Sequence, residues 1–577
     1  MLVISHIFND CESLISLDLS SFKGSLVDNT MECMFINCHN LISLDLSSLE
    51  ITYTYNLNNI FGGCYSLEYL NLSSFYSSKA YTFSFMFNNC TKLVSLDLSK
   101  FRGSSFTNSM EFMFSNCDNL KYLDLSSLDT SLTLNMSYMF NGCNSLTNLK
   151  LSKFNTSSVI DYSYMFNNCS LLTSIDLSKL HGSTVDNTME YMFNNCKSLI
   201  SLDLSNLDTS FTRNLSYMFN NCNSLLSINI AKLNISSMVD FSYMFNNCSS
   251  LLYFNLPSFK TSSTKNTMEF MFNNCINLKS IDLSNFNTSY TTNMKGIFNN
   301  CISLQNLKVS NFDASSVKDF SYMFNNCTSL TSLDLSDFNK LSTSNNMEYM
   351  FYNCINLISL NLSKFDTSKT SNMDSIFSGC YSLTTLDLSH LKTSSVENMK
   401  EMFYNCHSLT SLDLFNFDTH SVTNMASMFN NCTDLKYLKL NKFDTSSVIN
   451  MDLMFYNCES ILSLNLSNFD TKNVNSMSKM FENCYSLIIL DLSSFDTSLV
   501  TDMTSMFSGC TDLEFLNILK FSANLLNHKN MFDLIRENIH FCLNNNIIFL
   551  NKEKTFLFSI SLERLIMKKV IYHFQMV

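Results

Sequence analysis

The chain has 577 residues, is 46% hydrophobic and contains one Pro, nine Gly and no Trp. That apolar content excludes a disordered chain, and so little Pro and Gly leaves no room for a flexible interdomain linker. A net charge of −13 excludes a basic nucleic-acid surface.

Met1–Asp10 has neither a basic leading region nor a long apolar core, so it does not read as a secretory leader. Ile7-Phe8-Asn9-Asp10-Cys11 matches the end of a repeat unit, so the chain opens in mid-repeat. Either a longer array has been cut short, or Met1–Ile7 improvises a cap.

From there one unit recurs to about residue 520. A clear copy is Leu146–Cys169, LTNLKLSKFNTSSVIDYSYMFNNC, and the next unit starts at Leu172, a period of 26. Leu149 and Leu151 alternate with Lys150 and Ser152, which predicts a short strand. Asn155-Thr156-Ser157-Ser158 is a run of turn formers. Tyr162, Met165 and Phe166 fall at i, i+3, i+4, which predicts a short helix. Asn135, Asn293, Asn398, Asn424 and Asn450 stand where its N-cap belongs. The residue before the repeat cysteine is Asn, Gly or, once, Asp, the types that tolerate a left-handed backbone at a helix end. A single unit buries too little to fold alone, so units must stack. The expected fold is therefore an α/β repeat: a leucine-rich-repeat-like solenoid of about 20 coils of 26–27 residues, each with one short strand and one short helix. It spans residues 1–520, with the first coil incomplete.

Twenty of the 22 Cys occupy one repeat position, with Cys33 and Cys542 off pattern. No Cys-x-x-Cys pair is present, which disfavours zinc. The column reads as buried thiols acting as small apolar groups. Up to Cys354 their spacing runs 27, 26, 26 in a rhythm of 79, the extra residue falling in turns such as Phe22–Met31 and Phe101–Met110. Gly24, Gly103 and Gly182 repeat at that same interval.

Residues 521–577 break the repeat. Met531–His540 reads as helical, Ile547–Leu550 and Thr555–Leu562 as strands. The segment carries seven Lys/Arg against four Asp/Glu, +3, which leaves −16 for the array. It reads either as a C-terminal cap with a basic tail or as read-through of non-coding sequence. No apolar run approaches the ~20 residues of a membrane span.

The full motif stands in Ser408–Cys432, SLTSLDLFNFDTHSVTNMASMFNNC. Strand, Asp-Thr turn, Met-x-x-Met-Phe segment and Asn-Cys turn recur together over roughly nine-tenths of the chain. This closely resembles the BspA-like leucine-rich-repeat surface proteins. The resemblance implies a solenoid used for surface attachment or protein binding, at the cell surface or secreted, and it brings no catalytic residues.

The strongest candidate for a partner-binding face is the central outward residue of each strand. It is Asp at Asp18, Asp45, Asp97, Asp124, Asp176, Asp203, Asp282, Asp334, Asp387, Asp413 and Asp491. Asn takes six of the remaining copies and Lys three, with Lys150 and Lys308 each flanked by Asp. The bland reading is a solvated, self-compensating surface; the functional one is an acidic recognition face. One carboxylate per strand is too few for calcium, which takes six to eight oxygens. A Thr column (Thr130, Thr156, Thr209, Thr288, Thr367, Thr419, Thr445, Thr471, Thr497) offers a flat surface or merely satisfies turns. Tyr138, Tyr164, Tyr191, Tyr217, Tyr243 and Tyr322 form a stripe that reads as semi-buried packing. No HExxH, phosphate loop or GxGxxG is present. The sequence thus points to a non-enzymatic scaffold for a protein or glycan ligand, with neither metal nor cofactor; the alternative is an intracellular structural or assembly scaffold.

Overall fold

A computed structural model describes residues 4–550. Residues 20–23, 26–29, 52, 77–78, 102–107, 153, 179, 181–182, 231–233, 235, 256–264, 285, 287, 311, 339–344, 522–526, 537–538 and 544–545 are outside the description. Gly103 and Gly182, most of the 27-residue turns, and Thr555–Leu562 therefore lie outside the described residues. The chain divides into two compact units, Met1–Tyr290 and Thr291–Val577. Each is a β-solenoid, and together they hold about 18 regular coils.

Within each unit the predicted strand forms in most coils where the Leu alternation places it, residues 174–176 and 385–387 being exceptions that form none. In the first unit Ser16–Asp18 pairs in parallel with Ser43–Asp45, and that with Tyr69–Asn71. In the second, Ser332–Asp334 pairs with Ser359–Asn361 and Ser411–Asp413 with Tyr437–Lys439. Leu44, Leu123 and Leu412 point inward and are buried, while their neighbours alternate outward. A second ladder runs through single bridges such as Asn135↔Asp161↔Thr188 and Asn398↔Asn424↔Asn450.

The expected helix is absent: among the described residues no helix forms. The Met-x-x-Met-Phe segment is instead a chain of tight turns. Met139, Asn141 and Cys143 donate N–H bonds three residues back, to Met136, Tyr138 and Phe140. The intervening Tyr138, Phe140 and Gly142 donate to Ser163, Met165 and Asn167 of the next coil, each at 2.8 Å. Half of the amides are thus committed between coils, which an α-helix cannot do, since its N–H groups bond i−4 within the segment. The backbone adopts this path by turning left-handed twice, at Tyr138 (φ 57) and Gly142 (φ 74). The second position is the one the Asn/Gly pattern predicted. The first is Asn at Asn59 and Asn530 and Gly at Gly296, but elsewhere it is His, Cys, Phe, Tyr, Ser, Glu, Leu or Lys, for which φ near +57 costs ~1–2 kcal/mol; the inter-coil bonds hold it there. The supposed N-caps serve a related purpose, Asn135 Oδ1 accepting the Ser137 N–H at 2.8 Å and Asn424 Oδ1 that of Ala426 at 3.0 Å.

The i, i+3, i+4 apolar spacing survives because the turn chain still directs those side chains inward. Leu120, Leu123, Leu125, Leu128, Met136, Met139, Phe140 and Cys143 of one coil are all fully buried. The Phe residues stack along the axis of each unit, Phe114–Phe140 at 5.6 Å and Phe429–Phe455 at 5.5 Å. Nineteen of the repeat cysteines are buried and none is disulfide-bonded. Each thiol does more than fill space. Cys169 Sγ donates to the Phe140 carbonyl at 3.3 Å, and the Cys143 N–H donates to the same oxygen, so both lone pairs are used.

The repeat also runs one coil further than the sequence pattern. Asn530 and Leu534 take the two left-handed positions, and Phe532 stacks on Phe507 at 5.7 Å. Ile539–Leu543 then pairs in parallel with Phe515–Asn517 and antiparallel with Asn546–Leu550. The helix expected over Met531–His540 is therefore a turn chain followed by a strand, whereas Ile547–Leu550 is in a strand as expected.

Candidate functional site: the strand face

The eleven candidate carboxylates are all exposed or half-exposed; eight lie on strands, whereas Asp97 directly follows one and Asp176 and Asp387 lie in coils without an assigned strand. Their first task is local. Asp Oδ1 accepts the N–H two residues on: Ser47 to Asp45 at 2.8 Å, Ser205 to Asp203 at 2.8 Å, Ser389 to Asp387 at 3.0 Å. The bond turns the chain at the strand end, and Asn does it equally well, as Ser73 to Asn71 at 3.1 Å shows. That explains why Asp and Asn share the column. Hydrogen bonds from Ser205, Ser336 and Ser389 hold the carboxyls of Asp203, Asp334 and Asp387 below the ordinary range.

The second oxygen faces the neighbouring coil. Lys439 Nζ reaches Asp413 Oδ2 at 2.7 Å, Lys150 reaches Asp124 at 3.4 Å, and Asn71 Nδ2 donates to Asp45 Oδ2 at 3.1 Å. Directly opposed pairs are mostly mixed: Asp203 with Asn229, Asp334 with Asn361, Asp491 with Asn517. Among the paired strands described, Asp18 and Asp45 are like-charged and directly opposed. Asp97 and Asp124 line one shallow cleft of about 410 Å³ with Ser99, Tyr122 and Ser126. The column is thus a polar row, diluted by Asn and locally relieved by Lys150 and Lys439, that stays net acidic.

Beside it stands a row that the sequence reading missed. Tyr69, Tyr122, Tyr253 and Tyr437 project from the strands two residues before the Asp position, Tyr253 and Tyr437 being 64% and 65% exposed. One residue earlier, Ile15, Ile42, Val94, Ile200, Ile358 and Ile488 are also exposed. The signal was available: in Leu-Ile-Ser-Leu-Asp, the residues between the two leucines leave the core.

The Thr column is not a surface. Thr130, Thr209 and Thr419 are fully buried, and each hydroxyl bonds both peptide groups of one residue in the next coil. Thr419 Oγ1 donates to the Asp444 carbonyl and accepts the Asp444 N–H, both at 2.8 Å. One trio resembles a nucleophilic relay: Ser421 Oγ is 2.9 Å from His420 Nε2, and His420 Nδ1 is 2.8 Å from Asp418 Oδ1. The His420 and Asp418 side chains are 54% and 52% exposed, so water competes for every link and no desolvated site activates the serine. Among the described residues no group of three His, Cys, Asp or Glu side chains converges on a metal position, and no helix is long and apolar enough to cross a membrane.

A family model described as "Mycoplasma protein of unknown function, DUF285" matches residues 3–121, 108–224, 187–280, 266–359, 332–437, 409–520 and 432–545. The chain belongs to this family. The resemblance to BspA-like leucine-rich-repeat proteins stands with it. Similar solved structures include a leucine-rich repeat protein from Bacteroides ovatus, at 15% identity over 74% of this chain and 92% of that one, with a TM-score of 0.39. A leucine-rich cell surface protein from Faecalibacterium prausnitzii shows 15% identity over 69% and 79%, TM-score 0.24. An internalin from Listeria monocytogenes shows 15% identity over 60% and 83%, TM-score 0.18. No curated protein matches the chain.

Proposed function

We propose that this DUF285 chain is a non-enzymatic scaffold whose strand face binds a protein partner. The observation that supports it is the exposure of Tyr69, Tyr122 and Tyr253 on the first unit and of Tyr437 on the second, with β-branched side chains, beside each unit's Asp/Asn/Lys row. Tyrosine supplies contact area at small entropic cost and is enriched among binding hot spots, while the polar row supplies register and a rim. The excess of Asp over Lys in the row favours a partner with basic or hydroxyl groups. Adhesion at a cell surface, implied by the family resemblance, is part of the same proposal, as is a single array through residue 520 ended by a cap in 521–577.

The test has two parts. Intact cells are labelled with a membrane-impermeant reagent, which must modify the protein if it is displayed. A partner recovered by photo-crosslinking through position 122 is then titrated against wild type and Tyr69→Ala/Tyr122→Ala. Loss of about tenfold or more in affinity is expected for truncated hot spots. Unchanged affinity rejects the strand face as the binding surface.

A further inference from the structure

Five tyrosines of the first unit form one continuous stack at the first left-handed position of the turn chain. Ring centroids are 4.4 Å apart for Tyr138–Tyr164, 4.5 Å for Tyr164–Tyr191 and Tyr191–Tyr217, and 4.6 Å for Tyr217–Tyr243, with planes within 7°. Phe112 and Phe85 extend the stack at one end. The fold does not demand aromatics here. In the second unit Ser375, Glu401, Ser427, Leu453, Lys479 and Ser505 occupy the same position with φ of 53 to 58.

The stack has three properties that bear on chemistry. Its ring faces are covered by one another, so edges and hydroxyls are what it presents, and a sugar has no open face to stack on. The rings are half-buried, so their edges stay open to a small oxidant, and each phenol already has another ring 4.4–4.6 Å away within the chain. The hydroxyls lie within electrostatic reach of one another and of Glu190 and Asp161. Burial also raises them, Tyr217 to about 12, so they are neutral phenols at ordinary pH. Competing oxidisable groups nearby are shielded: Met139, Met165, Met192, Cys143, Cys169 and Cys196 are fully buried.

We propose that the Tyr138–Tyr243 stack is a site of oxidative coupling that joins neighbouring coils through tyrosine–tyrosine bonds. The co-reactant is a peroxide acting through a haem peroxidase. It removes one hydrogen atom, an electron and a proton, from each of two adjacent phenols. The two phenoxyl radicals, already face to face, join through ring carbons ortho to oxygen. The hydrogens on those carbons leave as protons and the two oxygens take up protons, restoring both rings. Two hydrogen atoms are lost in all, and they reduce one peroxide to two waters. Each link ties one coil to the next without a disulfide.

The full chain, dilute, is treated with peroxide and a haem peroxidase, digested with trypsin and weighed. Lys179 separates Tyr164 from Tyr191, so a link appears as two joined peptides lighter than their sum by two hydrogens. Intrachain pairs within the stack are expected to exceed chain-to-chain pairs at least tenfold. Tyr164→Phe/Tyr217→Phe keeps every ring stacked but leaves no two tyrosines adjacent, and should cut those pairs at least tenfold with an unchanged circular dichroism spectrum. Equal linking in the double variant overturns the proposal. So do absence of joined peptides in wild type, or links found only between chains through the exposed Tyr69, Tyr253 and Tyr437.

Discussion

Raising the pH should unfold the solenoid through its thiols. Burial pushes Cys143, Cys196, Cys354 and Cys406 up to about 12. In the unfolded chain the same groups ionise near ~8.5. Between those values the folded state keeps protons that the unfolded state has released. Stability is therefore fully present below about pH 8.5 and falls as pH rises. One pH unit above the unfolded value removes about 1.4 kcal/mol per buried thiol. The first unit has ten buried repeat cysteines, Cys38 to Cys275, and the second nine, Cys301 to Cys510. Acting together they withdraw on the order of 14 kcal/mol per unit at about pH 9.5, comparable with the ~5–15 kcal/mol that holds a domain folded. Far-ultraviolet circular dichroism from neutral to strongly alkaline pH in reducing buffer, with alkylation pulses, should show cooperative loss of structure and simultaneous thiol reactivity within about two units above the free thiol value. Replacing Cys406, Cys432 and Cys458 by Ala should weaken the pH dependence by about 4 kcal/mol per unit. A chain that keeps its spectrum and unreactive thiols well beyond that range would refute the reasoning.

Thr419→Val removes both bonds to the Asp444 peptide, and urea unfolding of the second unit should report a loss of about 2–4 kcal/mol, against under about 1 kcal/mol for Thr419→Ser. Gly142→Ala places a Cβ 2.4 Å from Asn116 Oδ1 at φ +74. It should cost about 2–3 kcal/mol in the same assay, and Gly142→Asn less, since Asn168 and Asn195 hold that backbone in neighbouring coils. The depressed carboxyls of Asp203, Asp334 and Asp387 contribute stability that is present above the unfolded carboxyl range and lost as pH falls through their folded values. Replacing these three by Asn should flatten that acid limb while leaving neutral stability unchanged, as read by acid titration of the circular dichroism signal.

Much of the coil was legible because its strongest signals are steric. Leucines two apart give a strand, and Asn or Gly before Cys marks a left-handed residue, as Asn168 and Gly142 confirm. The helix was not excluded by sequence because two arrangements share the i, i+3, i+4 spacing. What separates them is the left-handed backbone at Tyr138, Tyr164 and their equivalents, and tyrosine gives no local sign of it. The last coil escaped notice because Asn527–Leu534 keeps Met531 and Phe532 but lacks the cysteine. Following only the central outward residue of the strand located the Asp row and passed over the Tyr and Ile rows beside it. The Thr residues could not be placed by composition, because a turn threonine serves the inside or the outside according to χ1 and the neighbouring coil.

The account rests most heavily on the turn chain that replaces a helix in every coil. Far-ultraviolet circular dichroism of the intact protein at neutral pH tests this directly. A single β-type minimum with no helical component is predicted. The double minimum of a protein with about a quarter of its residues helical, as one short helix per coil would give, would contradict it.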